Sequence, residues 1–234
     1  SEVTFAYANM FRSLAGWNAE HEHWQKAAEQ MAPVTQIADP KLLERTLDLL
    51  RYGPLLIKSG DMEGFDGLRR WAVSMYEDST EPVDVEGVVK LCGLVPADQP
   101  LLEKLVPMMD FVEASFEQQS NNPDRVSLAW RAFSLALIKY RMGNYVGALS
   151  MCQQSRSYST RNEITVASVN LVSAMAHYQL RQTDQARREL DDVSLMVENQ
   201  VVAREDDVSA VWFDWVFAEI LLREARTMIL SEPN

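Results

Sequence analysis

The chain has 234 residues, 47% of them hydrophobic, with a formal charge of −12 and a pI of about 4.7. That apolar content can close a sizeable core and argues against a disordered chain. A nucleic-acid duplex or an anionic membrane calls for a basic surface, and this sequence has the opposite. The acidity is concentrated early: residues 1–124 hold 10 Lys/Arg against 21 Asp/Glu, and residues 125–234 hold 12 against 13.

Helical periodicity runs through almost the whole chain, and alternating β-branched runs joined by Asn-Gly or Asp-Gly turns are absent. The pattern predicts about eleven helices, over 3–17, 20–32, 41–58, 61–78, 83–93, 99–119, 124–142, 145–158, 163–181, 184–200 and 207–230. Asp39-Pro40 and Asn122-Pro123 suit an N-cap followed by Pro at the first helical position. Gly16, Gly60, Gly93 and Gly143 stand where helices are expected to end, and Pro54 is expected to kink or split its helix. Short connections make neighbouring helices antiparallel. No apolar run reaches the ~20 residues of a membrane span, and no basic–apolar leader opens the chain, so a cytoplasmic location is expected. Cys92 and Cys152 form neither a disulfide framework nor a zinc motif; both read as small buried hydrophobes in a reducing compartment.

The stretch "RMGNYVGALSMCQQS" (141–155) has the logic of a helical hairpin. Gly143 ends the first helix, Tyr145 plugs the gap above the turn, and Ala148 lets the second helix approach Ala136 of the first. The same pair returns 38 residues later as Ala174 and Ala186, near the ~34-residue period of a tetratricopeptide repeat. Degenerate copies stand earlier in "HEHWQKAAEQM", with Trp24 and Ala27, and in "LIKSGDMEGFDGLRRW", where Gly60-Asp61 makes the turn. Hairpins that cannot bury a face alone must stack. The expected fold is therefore all-α, a tetratricopeptide-like superhelix: degenerate hairpins over 1–123, then two clearer repeats and a capping helix over 124–234, in one continuous solenoid.

Residues 55–105 resemble a segment of the C-terminal regions of large planctomycete- and verrucomicrobial-type bacterial serine/threonine kinases. The matching features are Gly60-Asp61, Gly64-Phe65, Thr80 with Pro82, and Leu94-Val95-Pro96. "KYRMGNYVGAL" and "MAHYQLRQTDQARREL" resemble the repeats that follow it, and "WFDWVFAEILLREA" is similar to the closing helix. Arg181 departs from the usual Gly and Ser155 from the usual Ala. The resemblance implies a non-catalytic interaction or scaffold module of a larger regulatory protein. Kinase motifs are absent from the chain, and "GFDG" at 64–67 is a helical stretch.

Chemical candidates are few, and no cofactor or metal is expected. His21 and His23, beside Glu20 and Glu22, would point about 200° apart on a helix and could not share an ion. The acidic run 204–208 lacks the alternating ligands of a calcium loop; Asp206 and Asp207 suit the start of the last helix. Trp212 and Trp215 read as core. The concave face of the repeats would present Phe133, Leu137, Tyr140, Arg141, Leu171, Met175 and Tyr178, either to a hydrophobic peptide or to the protein's own helices. Trp130, Phe133 and Ser134 occupy the places of a carboxylate clamp, so an acidic chain end is not the expected ligand. The expected partner is a protein, a peptide or a neighbouring domain. The alternatives are a small-ligand sensor or enzyme built on His177, Tyr178 and Arg141, and a self-associating module.

Overall fold

A computed structural model describes residues 5–36, 46–119, 125–158, 162–202 and 212–231. Eleven helices are present among them and no strand: α1 (Phe5–Glu20), α2 (Trp24–Thr35), α3 (Leu47–Ser59), α4 (Met62–Tyr76), α5 (Pro82–Gly93), α6 (Gln99–Gln119), α7 (Arg125–Arg141), α8 (Tyr145–Tyr158), α9 (Glu163–Gln179), α10 (Thr183–Val202) and α11 (Trp212–Leu230). No helix of the described residues is long and apolar enough to cross a membrane. The expected N-caps at Asp39 and Asn122, and the acidic run 204–208, lie outside the described residues.

Four hairpins are closed by one turn chemistry. Glu22, Gly60, Gly143 and Arg181 have φ of 57°, 86°, 77° and 63°, the left-handed region. At each turn this residue's N–H bonds to the carbonyl three positions back, and the next N–H bonds to the carbonyl five positions back. That is the Schellman pattern, which satisfies carbonyls left bare at a helix end. Glu22 and Gly60 stand 38 positions apart, as do Gly143 and Arg181. Asp61 and Asn144 then cap the second helices, accepting from Gly64 N at 2.8 Å and Gly147 N at 2.9 Å.

The close-packing positions keep the same register. Seven residues before each left-handed residue stand Ala15, Gly53, Ala136 and Ala174; five after it stand Ala27, Phe65, Ala148 and Ala186. All eight are buried. Where the second position holds Phe65, the first holds glycine: a Cβ on Gly53 would lie 3.2 Å from the Phe65 ring and 2.4 Å from a Leu91 methyl. One large side chain thus forces one vanishing one opposite. Ser155, in place of alanine, keeps α8 close to α7 by donating its buried hydroxyl to the Ala129 carbonyl at 2.7 Å.

Arg181 takes a left-handed angle with a Cβ, at a cost of about 1–2 kcal/mol offset partly by the greater chain entropy of the glycine alternative. Arg181→Gly is therefore expected to raise stability by about 0.5 kcal/mol, read as a higher urea midpoint at unchanged slope.

Two local expectations are corrected. Gly16 does not end a helix; α1 continues to Glu20. Glycine is needed there because α1 passes close to α11: a Cβ would sit 3.0 Å from Trp212 Nε1. Pro54 does not split its helix, since α3 runs through it as one element. Its missing N–H leaves only one rung of the helix open.

The second helix of each hairpin packs on the first helix of the next, and the first helices α3, α5, α7 and α9 pack in that order side by side. Helix α11 follows α9 and then meets α3 and α1 as well. A long apolar face explains this: Val216, Phe217, Leu221 and Ala225 are all buried.

Cys92 and Cys152 are fully buried within this array, and burial pushes both thiols up to about 12. Neither is expected to react with a thiol reagent in the folded protein at pH 8, while both should react in denaturant. Because the folded pKa lies above the ordinary value of 9.0, the stability these thiols contribute is complete below pH 9 and is lost between pH 9 and about 12.

Candidate functional site

Helix α11 packs on α9, α3 and α1 and reaches α5 and α7 through its side chains. Its three acids meet bases from three helices. Asp214 Oδ1 accepts from Lys90 Nζ of α5 at 2.8 Å, Glu219 Oε2 from Lys58 Nζ of α3 at 2.9 Å, and Glu224 takes a two-pronged grip from Arg141 of α7. Phe217 packs edge-on against Phe133, ring centres 6.3 Å apart. The Arg51 guanidinium lies 5.6 Å from the Phe213 ring centre, and the Tyr140 hydroxyl donates to Met228 Sδ at 3.6 Å.

The residues expected to line a groove are mostly covered by their own chain. Phe133, Leu137, Leu171 and Met175 are fully buried, Tyr140 nearly so, and Tyr178 is partly buried against the core. Burial and the neighbouring Glu224 carboxylate push the Tyr140 hydroxyl up to about 12. Arg141 is committed elsewhere: besides Glu224 it donates to the carbonyls of Gly93 at 2.7 Å and Leu94 at 3.0 Å, closing the end of α5. His177 bonds Gln182 through Nδ1 and lies 3.6 Å from Glu189 through Nε2. Trp212 is buried and Trp215 packs partly buried against the core.

His21 and His23 are placed differently from the expectation. The left-handed Glu22 ends the helix between them, so their rings lie parallel, 6.2 Å apart, with Trp17 stacked 4.1 Å from His21. Nevertheless, no group of three His, Cys, Asp or Glu able to hold a metal is found among the described residues.

Beside α11 lies a polar centre that periodicity did not single out. A cavity of about 280 Å³ opens where the start of α3 and the head of α11 meet α5 and α7. Glu86, Lys90, Arg131 and Asp214 line it together with the apolar Leu47, Leu50, Val83 and Phe213. Lys90 is 5% and Asp214 6% exposed. The Lys90 ammonium sits 3.9 Å from the Trp130 ring centre and 5.2 Å from that of Phe217, a desolvated cation on aromatic faces. Glu86 accepts from Ser134 Oγ at 2.8 Å. Burial pushes the Glu86 carboxyl above the usual carboxylate range, against the pull of Ser134, Lys90 and Arg131. Gly87 keeps the wall thin, since a Cβ there would meet Thr46 Oγ1 at 2.3 Å.

The signal in the sequence was small: Glu86 and Lys90 stand one turn apart in "VEGVVKL", on a largely apolar helix whose one other charged residue is Asp84. Their partners come from α7 and α11, far along the chain. No family model, curated protein or solved structure matches this chain.

Proposed function

We propose that the chain is a non-catalytic helical-repeat scaffold of the tetratricopeptide type, a protein-interaction module of the kind joined to large bacterial serine/threonine kinases. The recurrence of one turn geometry and one pair of close-packing positions in four hairpins carries this reading. The likeness of residues 55–105 to the kinase-linked segment supplies the context. Two buried free thiols suit a reducing compartment such as the cytoplasm.

The groove residues Phe133, Leu137, Tyr140, Arg141, Leu171, Met175 and Tyr178 then serve a segment of the same chain, α11. A second protein would bind on the outside. Helix α1 offers the surface: Tyr7, Met10, Leu14 and Trp17 are 55%, 46%, 40% and 47% exposed, at steps of three and four residues. A charge-free seam with that spacing matches an apolar stripe on another helix. A photo-crosslinking amino acid in place of Leu14, in the cell of origin, is expected to trap one or a few proteins. The same probe at Val146, exposed on α8, is expected to trap none of them. Identical adducts from both positions, or none from Leu14, would count against the reading.

A further inference from the structure

We propose that the polar cavity between α3, α5, α7 and α11 binds a free α-amino acid with an apolar side chain. This goes beyond the scaffold reading and does not depend on it. The cavity has the bulk of about nine waters, room for a molecule of roughly ten non-hydrogen atoms.

The lining decides the class of ligand. Two acids, Glu86 and Asp214, and two bases, Lys90 and Arg131, line the cavity. Their charges balance, so a ligand bringing a net charge would add a buried, uncompensated one. A purely apolar ligand would strip water from four polar groups and return no hydrogen bonds. A molecule with an ammonium and a carboxylate on adjacent atoms meets both requirements. Its carboxylate would face Lys90 and Arg131, and its ammonium Glu86 and Asp214. The apolar lining residues Leu47, Leu50, Val83 and Phe213 would take the side chain. Glu86 is suited to the ammonium because it lines the cavity, is only partly buried, and has one carboxyl oxygen held by Ser134.

A structural role alone would be met as well by apolar residues of similar volume, which often stabilise a core relative to a buried ion pair. A cavity beside such a pair adds to its cost, because the lining atoms lose contacts. A ligand that fills the space and hydrogen-bonds the charges removes both costs.

The test is calorimetric titration and thermal melting of the full chain with leucine, phenylalanine and methionine at up to about 10 mM, beside N-acetyl-leucine and leucinamide. The expected result is saturable binding and a raised melting temperature with at least one free amino acid, and none with either blocked form. Glu86→Gln is expected to weaken that binding at least about tenfold by putting an amide N–H in place of a carboxyl oxygen that would accept from the ammonium. Leu47→Trp, at the partly exposed rim, is expected to abolish it by filling the cavity while leaving the melting temperature of the unliganded protein within a few degrees. The proposal is overturned if no free amino acid binds, if the blocked forms bind equally well, or if Leu47→Trp folds and binds as the parent does.

Discussion

Phe217→Ala is expected to lower the free energy of unfolding by about 3–5 kcal/mol, measured by urea denaturation at constant slope. The ring is 1% exposed and lies where α11 meets α7, against Phe133 on one side and the Lys90 ammonium on another. Truncation loses the transfer energy of the ring and leaves a void. Collapse into that void is restricted because Lys90 is held by Asp214 and Trp130. The cation also loses one of its aromatic faces. A cost below about 1 kcal/mol would mean that the ring is not enclosed, and that α11 is a loosely attached outer helix.

The second large effect is at the ion pair beside it. Asp214→Ala is expected to cost roughly 3–5 kcal/mol, since it leaves the Lys90 ammonium without its hydrogen-bonded carboxylate where both side chains are largely buried. The double variant Lys90→Met with Asp214→Leu is expected to recover most of that loss, because it removes both charges and keeps the volume. The two effects are strongly non-additive, as groups in direct contact should be. Equal losses in the single and double variants would show that packing, not charge, holds this part of α11. The exposed pair of Arg70 with Asp98 provides the contrast: both side chains are largely solvated, and Arg70→Ala should leave the urea midpoint almost unchanged.

Much of the architecture was readable from local sterics. A residue beyond a helix end that must adopt positive φ, and a small residue at each crossing, are requirements of a few neighbouring atoms. They left marks at Gly60, Gly143, Ala136, Ala148, Ala174 and Ala186. Where the requirement was long-range, the marks misled. Gly16 resembles a helix end, but it is small because Trp212, almost two hundred positions later, occupies the space above it. His21 and His23 were separated by assuming a continuous helix, and a left-handed glutamate gives no warning in composition.

Of the two occupants left open for the predicted groove residues, a peptide or the protein's own helices, the burial of these side chains within the folded chain fits the second. Residues 212–230 read as an apolar closing helix, and apolarity alone does not distinguish a helix that caps an end from one that fills a groove. The acids Asp214, Glu219 and Glu224 held the distinction, since each needed a base from a different helix. The cavity was least legible of all. Glu86, Lys90, Arg131 and Asp214 belong to three helices and come together only once the chain has curled.

Amide hydrogen exchange of α11 tests the account most directly. A helix seated in the middle of the array should open only with the whole molecule, so amides of residues 216–225 should exchange as slowly as those of 132–138 in α7. Exchange about a hundredfold faster across α11, with α7 still protected, would contradict it.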